Sequence, residues 1–322
     1  MIRLLTLLLV CASAGHCLGA ATKPAFPDER FDFALIGDTP YDDLQETNLF
    51  PNLLADLNRA RVAFVAHVGD FKSGSTPCTD ELFERRARQF ATSRHPFVFL
   101  FGDNEWSDCG KVKTNAFDPG ERLGKLRELF CQGDLALGQQ ALKLTRQSAS
   151  PSFAAFRENV MWVRGRVVFV GLNVPGDDNH FGTPEFGPRN AANIAWIQEA
   201  FALARRENLR AVLLLMQANL NFDKPATNRI RVGFNAMIDA LERETVAFGK
   251  PVVLVHGDSH YFRIDQPLMG AKSKRRVENF TRVETFGNPD VHWIQAGVDW
   301  RDPNVFTFRP RYVGKNLVKH AK

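Results

Sequence analysis

The sequence predicts an α/β fold built around a parallel sheet, and three observations carry the prediction. Between residues 33 and 101 apolar runs of strand length alternate with amphipathic helical stretches, giving the order β-α-β-α-β. The strand runs are continuously apolar, as in Val252-Val253-Leu254-Val255, which suits strands covered on both faces. Polarity then arrives abruptly at their ends, each time at a glycine: FALIGD at Asp38, VAFVAHVGD at Asp70, FVFLFGDNE at Asp103 to Glu105, and VVLVHGDSH from His256 to His260. One Gly-Asp at a turn is commonplace. Four at strand ends, closed by a loop with two histidines, form a pattern, because open α/β sheets bind ligands at the carboxyl ends of their strands.

The chain has 322 residues, and the first twenty are set apart. Arg3 precedes the apolar run Leu4 to Val10, and small residues follow at Ala12 to Ala14 and Gly19-Ala20, the pattern of a secretory signal. The apolar stretch is too short to span a membrane, which takes about 20 residues. We therefore expect residues 1–20 to be a signal peptide and residues 21–322 one exported domain, periplasmic or secreted. No stable membrane span is expected after cleavage. Of five cysteines, Cys11 and Cys17 leave with the signal, and Cys78, Cys109 and Cys131 remain. An oxidising compartment then favours one bridge and one free thiol. Cys78 follows the Asp70 strand tip and Cys109 the Asp103 tip, so adjacency of those strands would join them. Cys131, ending LRELFC, reads as a buried apolar residue.

Net charge is +5, one less without Arg3, which is modest for this length. The densest basic run, Lys272 to Arg276, has no interleaved aromatics and reads as a solvated loop. A nucleic-acid partner is not expected.

Taken in order, Leu49, Phe50, Leu53, Leu54 and Leu57 share one helical face, with Pro51 at its start. Val62 to Val68 is the next strand, and His67 within it reads as a core histidine. Thr79 caps a helix bearing Leu82, Phe83, Arg86 and Phe90, before the strand Phe97 to Phe101. From Trp106 to Ser152 only Arg122 to Cys131 is clearly helical, so residues 106–152 are expected to be an insertion lying over the sheet end. Asn159–Val163 and Arg166–Leu172 read as a hairpin. The polar loop Asn173 to Asn190 follows, with His180 expected to be exposed. Asn190 is expected to cap a helix carrying Ile194, Ile197, Phe201 and Ala204. Ala211 to Met216 is a buried strand ending in Gln217, Asn219 and Asn221. Phe234 to Leu241 gives the last long helix, stopped at Gly249. Only strands remain after Asp258: Phe280–Phe286, His292–Val298 and Val305–Arg311.

Asp38, Asp70, Asp103, Asn104, Gln217, His256, Asp258 and His260 thus gather at one edge. Carboxylates packed together without arginines repel one another, and divalent cations relieve that repulsion. Capping of following helices would explain one or two of the acids but not the histidines.

The motif order resembles that of the calcineurin-like metallophosphoesterases. GDTPY, GDFKSG, GDNEW, LLLMQAN and HGDSH match the family's segments in sequence over nearly all of the mature chain, and GDNEW with HGDSH marks a recurring exported subgroup. The resemblance implies a four-layer α/β/β/α sandwich holding two divalent metals. It implies Asp38 and His260 as ligands of one metal and Asp70 as the bridging carboxylate. Asp103 falls in the column of a ligand asparagine and Asn104 in that of a phosphate-contacting histidine; a shift of one residue would make Asn104 the ligand. Gln217 replaces a ligand histidine and Asp258 another, with His256 near enough to substitute. Pro40 replaces the first motif's histidine, with Tyr41 next to it. Such an oxygen-rich set favours Mn²⁺, Mg²⁺ or Ca²⁺, with Zn²⁺ or iron as alternatives.

The implied reaction is in-line attack of a metal-activated hydroxide on a small phosphate mono- or diester. The missing acid–base histidine would cost ~10²–10⁴-fold unless His256 takes its part. The competing expectation is a non-catalytic phosphate- or nucleotide-binding protein with a degenerate metal site. Tyr41 and Tyr261 lie in motif loops and either line the pocket or pack at its rim.

Overall fold

The computed structural model describes residues 30–318, so the expected signal peptide lies outside the described residues. In chain order the first half holds β1 (Arg30–Ile36), α1 (Phe50–Arg59), β2 (Val65–His67), α2 (Asp80–Ala91), β3 (Phe97–Phe99), α3 (Pro119–Phe130), β4 (Thr145–Arg146), β5 (Val160–Arg164) and β6 (Val167–Gly171). The second half holds α4 (Phe186–Arg206), β7 (Ala211–Leu215), α5 (Asn235–Phe248), β8 (Val252–His256), β9 (Arg263–Asp265), β10 (Phe280–Glu284), β11 (Trp293–Asp299) and β12 (Phe306–Arg311).

Two sheets result, in the orders β12-β11-β1-β2-β3 and β4-β5-β6-β7-β8-β10-β9. Strands β1, β2 and β3 run parallel, as do β6, β7, β8 and β10. Side-chain alternation then sorts three cores. Phe33 and Leu35 of β1 face the second sheet, while Ala34 and Ile36 face the helices α1 and α2. Likewise Leu213 and Leu215 of β7 meet the first sheet, and Val212 and Leu214 meet α4 and α5. The inter-sheet core is aromatic at one end. Phe33 stacks on Phe64 at 4.9 Å and meets Phe169 of the opposite sheet edge-on at 5.4 Å, and Phe169 stacks on Trp162. Helix, sheet, sheet, helix is therefore the layer order, as expected.

The segment 106–152 does more than cover the sheet end. Leu123, Leu126 and Phe130 of α3 enter the helix-side core beside Phe71, Phe83 and Phe90. Helix α4 also begins earlier than expected, at Phe186, which puts Asn190 inside the helix and not at its cap. The reason is Arg189, whose buried guanidinium reaches back to the Asn173 and Asn179 carbonyls, the Asn179 side chain and Glu185. No helix among the described residues is long and apolar enough to cross a membrane.

Candidate metal centre

The register sets Ile36 beside His67 and His67 beside Phe99, so the polypeptide leaves three adjacent parallel strands within four residues of Asp38, Asp70 and Asp103. Leu215 lies beside Val255 in the other sheet, which brings Gln217 next to the turn after β8. The two sets of tips then meet. The Asp258 N–H donates to Asp38 Oδ1 at 3.0 Å, and Gln217 Nε2 donates to Asp70 Oδ2 at 3.1 Å.

Glycines make this approach physically open. A Cβ at Gly102 would sit 2.0 Å from Asp70 Oδ1, and one at Gly257 would sit 2.1 Å from Asp38 Oδ2. These two glycines thus clear space for the carboxylate of another tip, while Gly69 makes room for the Gln217 side chain. Asp38, Asp70, Asp258 and His260 all adopt positive φ, between 50° and 77°, conformations uncommon for residues with a Cβ. His67 ties two of the tips together. Its Nε2–H donates to the Thr39 carbonyl at 2.8 Å, while Nδ1 accepts the Gly69 N–H at 3.2 Å. Burial holds this imidazole neutral, its pKa pushed down to about 4.

Asp70 lies at the centre. Its Oδ1 accepts the Asn104 N–H, and its Oδ2 accepts the Tyr41 hydroxyl, Asn104 Nδ2 and Gln217 Nε2, at 2.9–3.1 Å. The Tyr41 hydroxyl also lies 3.1 Å from His260 Nε2. His260 Nδ1–H donates to the Asn288 carbonyl, so Nε2 carries the lone pair, 3.6 Å from Asp38 Oδ1. One hydroxyl proton therefore faces two acceptors, Asp70 and His260.

The donor set fits a cation. Asp38 Oδ2, Asp103 Oδ1 and Gln217 Oε1 are buried without hydrogen-bond partners. Burial lifts the Asp38, Asp70 and Asp103 carboxyls well above the usual range, and repulsion between them adds to the shift. Asp258 is pushed up to about 6, by burial first and then by the fields of Asp177 and Glu284. Oxygen donors with one imidazole suit Mg²⁺, Mn²⁺ or Ca²⁺ better than a soft metal.

Seven of the eight residues expected here come together: Asp38, Asp70, Asp103, Asn104, Gln217, Asp258 and His260. His256 does not join them. Its ring is fully buried at the end of β8, with Nδ1 on the Gly257 carbonyl at 2.8 Å and Nε2 3.9 Å from Glu284 Oε2. Burial pushes its pKa down to about 3. His180, expected in solvent, instead bonds Glu185 at 2.8 Å and meets the Trp106 ring edge-on.

Glu105 and Lys72 escaped the sequence reading, and of the two roles open to Tyr41 it takes the one inside the pocket. Tyr41 bonds Asp70, Asn104 and His260 at once. Glu105 is fully buried, and its Oε1 accepts the N–H groups of Gly102 and Asp70. Lys72, 1% exposed, lends positive charge where the sequence promised only acids; burial lowers its pKa to about 8 against the pull of Glu105 and Asp70. Its signal was present in GDFKSG, two residues beyond Asp70. The disulfide joins Cys78 to Cys109 with Cα atoms 5.8 Å apart, and both sulfurs approach the Asn104 carbonyl. Cys131 is free and buried.

No protein-family model and no curated protein matches the chain. Solved structures do. PhoD aligns over 84% of this chain and 64% of its own length, with a TM-score of 0.50 at 12% identity. GAP50, the anchor in the inner membrane complex of Plasmodium, aligns over 88% of this chain and 89% of its own, with a TM-score of 0.47 at 10% identity. The fold is the α/β/β/α sandwich of metallophosphoesterase type.

Proposed function

We propose that the chain is an exported hydrolase of small phosphate mono- or diesters that works with divalent cations. The observation that carries this reading is the convergence of buried carboxylates from both sheets around oxygens that have no partner within the protein. Asp38, Asp70, Asp103, Gln217, Asp258 and His260 would hold the ions. When bound, such ions supply positive charge to a phosphoryl group and acidify a water. Asn104 would hold a phosphoryl oxygen by turning to it the amide N–H it now gives to Tyr41, and it carries no proton to give. His256, neutral and walled in by Glu284, is better read as holding the β8 tip than as a proton donor. Export rests on the leader-like residues 1–20 and on the bridge between Cys78 and Cys109.

Chelated protein supplied with Mn²⁺, Mg²⁺ or Zn²⁺ should hydrolyse 4-nitrophenyl phosphate or its bis ester, and Asp70→Ala should remove that activity together with the thermal stabilisation by Mn²⁺. Absence of turnover with every ion would sink the enzyme reading. One observation favours the second reading, a phosphate-binding protein without turnover: Asp70 already accepts four hydrogen bonds from the chain's own donors. In that case phosphate should raise the melting temperature with no ion added.

A further inference from the structure

Asp103 is shared with a second group of acids that no sequence motif announces. Asp108 comes from the short 3₁₀ turn Ser107–Gly110, and Asp177 from the loop between β6 and α4. One oxygen from each of Asp103, Asp108 and Asp177 lies within 4.8 Å of the other two. That spacing suits one ion, because ligands on opposite sides of a cation at 2.3–2.6 Å stand up to about 5 Å apart.

The group is held against its own repulsion. Arg189 and Asn179 pin the loop carrying Asp177, the latter through its Nδ2–H on the Gly233 carbonyl. The Asp108 N–H donates to the Asp103 carbonyl at 2.9 Å, and the adjacent Cys109 is bridged to Cys78. A Cβ at Gly176 would stand 2.6 Å from Asp258 Oδ1 and 2.8 Å from Asp103 Oδ1, so the missing side chain lets the loop come close to both carboxylates. Asp103 is 6% exposed, and its Oδ1, turned toward that loop, has no partner.

Lys111 answers part of the charge. Its Nζ lies 2.5 Å from Asp108 Oδ1 and 3.2 Å from Asp177 Oδ2, but no bond joins it to Asp103. The Lys111 ammonium thus bonds two of the three carboxylates, while Lys72 and Lys113 act on Asp108 only through their fields. The Lys111 side chain is 42% exposed, so it can leave toward water without disturbing the core.

We propose that Asp103, Asp108 and Asp177 form a separate site for a hard divalent cation, with the Lys111 ammonium as its resident substitute. The ion and the ammonium compete for the same oxygens, so Lys111 sets the affinity. This site shares Asp103 with the carboxylate cluster of the proposed function and adds Asp108 from the same loop and Asp177 from the loop after β6, and it stands whether or not that cluster turns over an ester.

The test is Mn²⁺ binding to chelator-treated full-length protein, with free ion counted by electron paramagnetic resonance. Asp177→Asn should bind one ion fewer than the wild type; its side chain is 62% exposed, so the fold tolerates the change. Lys111→Met should bind that ion at least tenfold more tightly. Asp70→Asn should leave it in place while losing ions from the central cluster. Wild-type isotherms for both Asp177→Asn and Lys111→Met would overturn the proposal even if Asp70→Asn lost ions. Loss in Asp177→Asn without loss in Asp70→Asn would support it and count against the central metals instead. No binding by wild type at millimolar Mn²⁺ would overturn both.

Discussion

Asp258 offers the sharpest test of the idea that these acids are assembled for a cation at the expense of the empty fold. Its carboxyl is raised from 3.8 to about 6 by burial and by neighbouring charge. Between those values the folded chain holds a proton that the unfolded chain has lost. Stability therefore falls as pH rises across the window, and the full cost is present above it. The shift corresponds to about 3 kcal/mol at pH 7.5 and roughly half that at pH 5. Asp258→Asn removes the charge and keeps an oxygen for the Asn219 N–H, which now donates to Asp258 Oδ2 at 3.0 Å. Chelated variant should exceed chelated wild type in urea denaturation by up to about 3 kcal/mol at pH 7.5, and by roughly half that at pH 5. Mn²⁺ at a thousandfold over Kd should add about 4 kcal/mol to the wild type and little to the variant, reversing their order. A variant no more stable than wild type in chelator at pH 7.5, or a gain equal at both pH values, would refute the reasoning.

Replacing both Cys78 and Cys109 by alanine opens a loop of 31 residues and should cost about 3–4 kcal/mol in urea denaturation; a loss below 1 kcal/mol would mean the packing around Asn104 suffices alone. Cys131, buried and with its thiol pushed up to about 12, should react with a thiol reagent only after unfolding, and rapid labelling of native protein would contradict its core position. His256→Ala should leave the ratio of alkyl to nitrophenyl phosphate turnover unchanged, since the ring faces Glu284. Selective loss of the alkyl substrate, whose leaving group needs a proton, would restore His256 as the acid.

Much of this architecture could be read from residue order because buried parallel strands announce themselves as unbroken apolar runs. Val252 to Val255 and Ala211 to Leu215 are such runs, and both are interior strands of the second sheet. The Cys78–Cys109 bridge followed from assuming that the strands before them are neighbours, as β2 and β3 are. Orientation beyond a strand end was not legible. His256 and Asp258 would share a face if β8 continued, but Asp258 turns to φ 77° and the two side chains part. Nor could spacing reveal Asp177 or Lys111, whose meeting depends on how the buried Arg189 folds its loop. The early start of α4 has the same origin, since a charged residue gave no sign that it would be interior.

The centre gathers several costs at one spot, and they share a direction. Asp38, Asp70, Asp258 and His260 each hold a left-handed backbone conformation, at about 1 kcal/mol or more apiece for a residue with a Cβ. Asp38 and Asp103 add buried oxygens with no partner, and an unmet buried acceptor costs about 1–3 kcal/mol. Nothing in the local sequence repays these terms. They persist because the surrounding cores leave the tips nowhere else to go: His67 clamps the first two, Glu105 holds the Asp70 turn, and the bridge clasps the third. A purely structural protein would gain by letting any one of these positions relax to an amide or an apolar residue. A bound cation would offset these costs together, because strain has aimed the oxygens, burial has stripped them of water, and attraction would replace repulsion. The pattern of cost, more than any single residue, is what supports the proposed reading of this site as one for an ion.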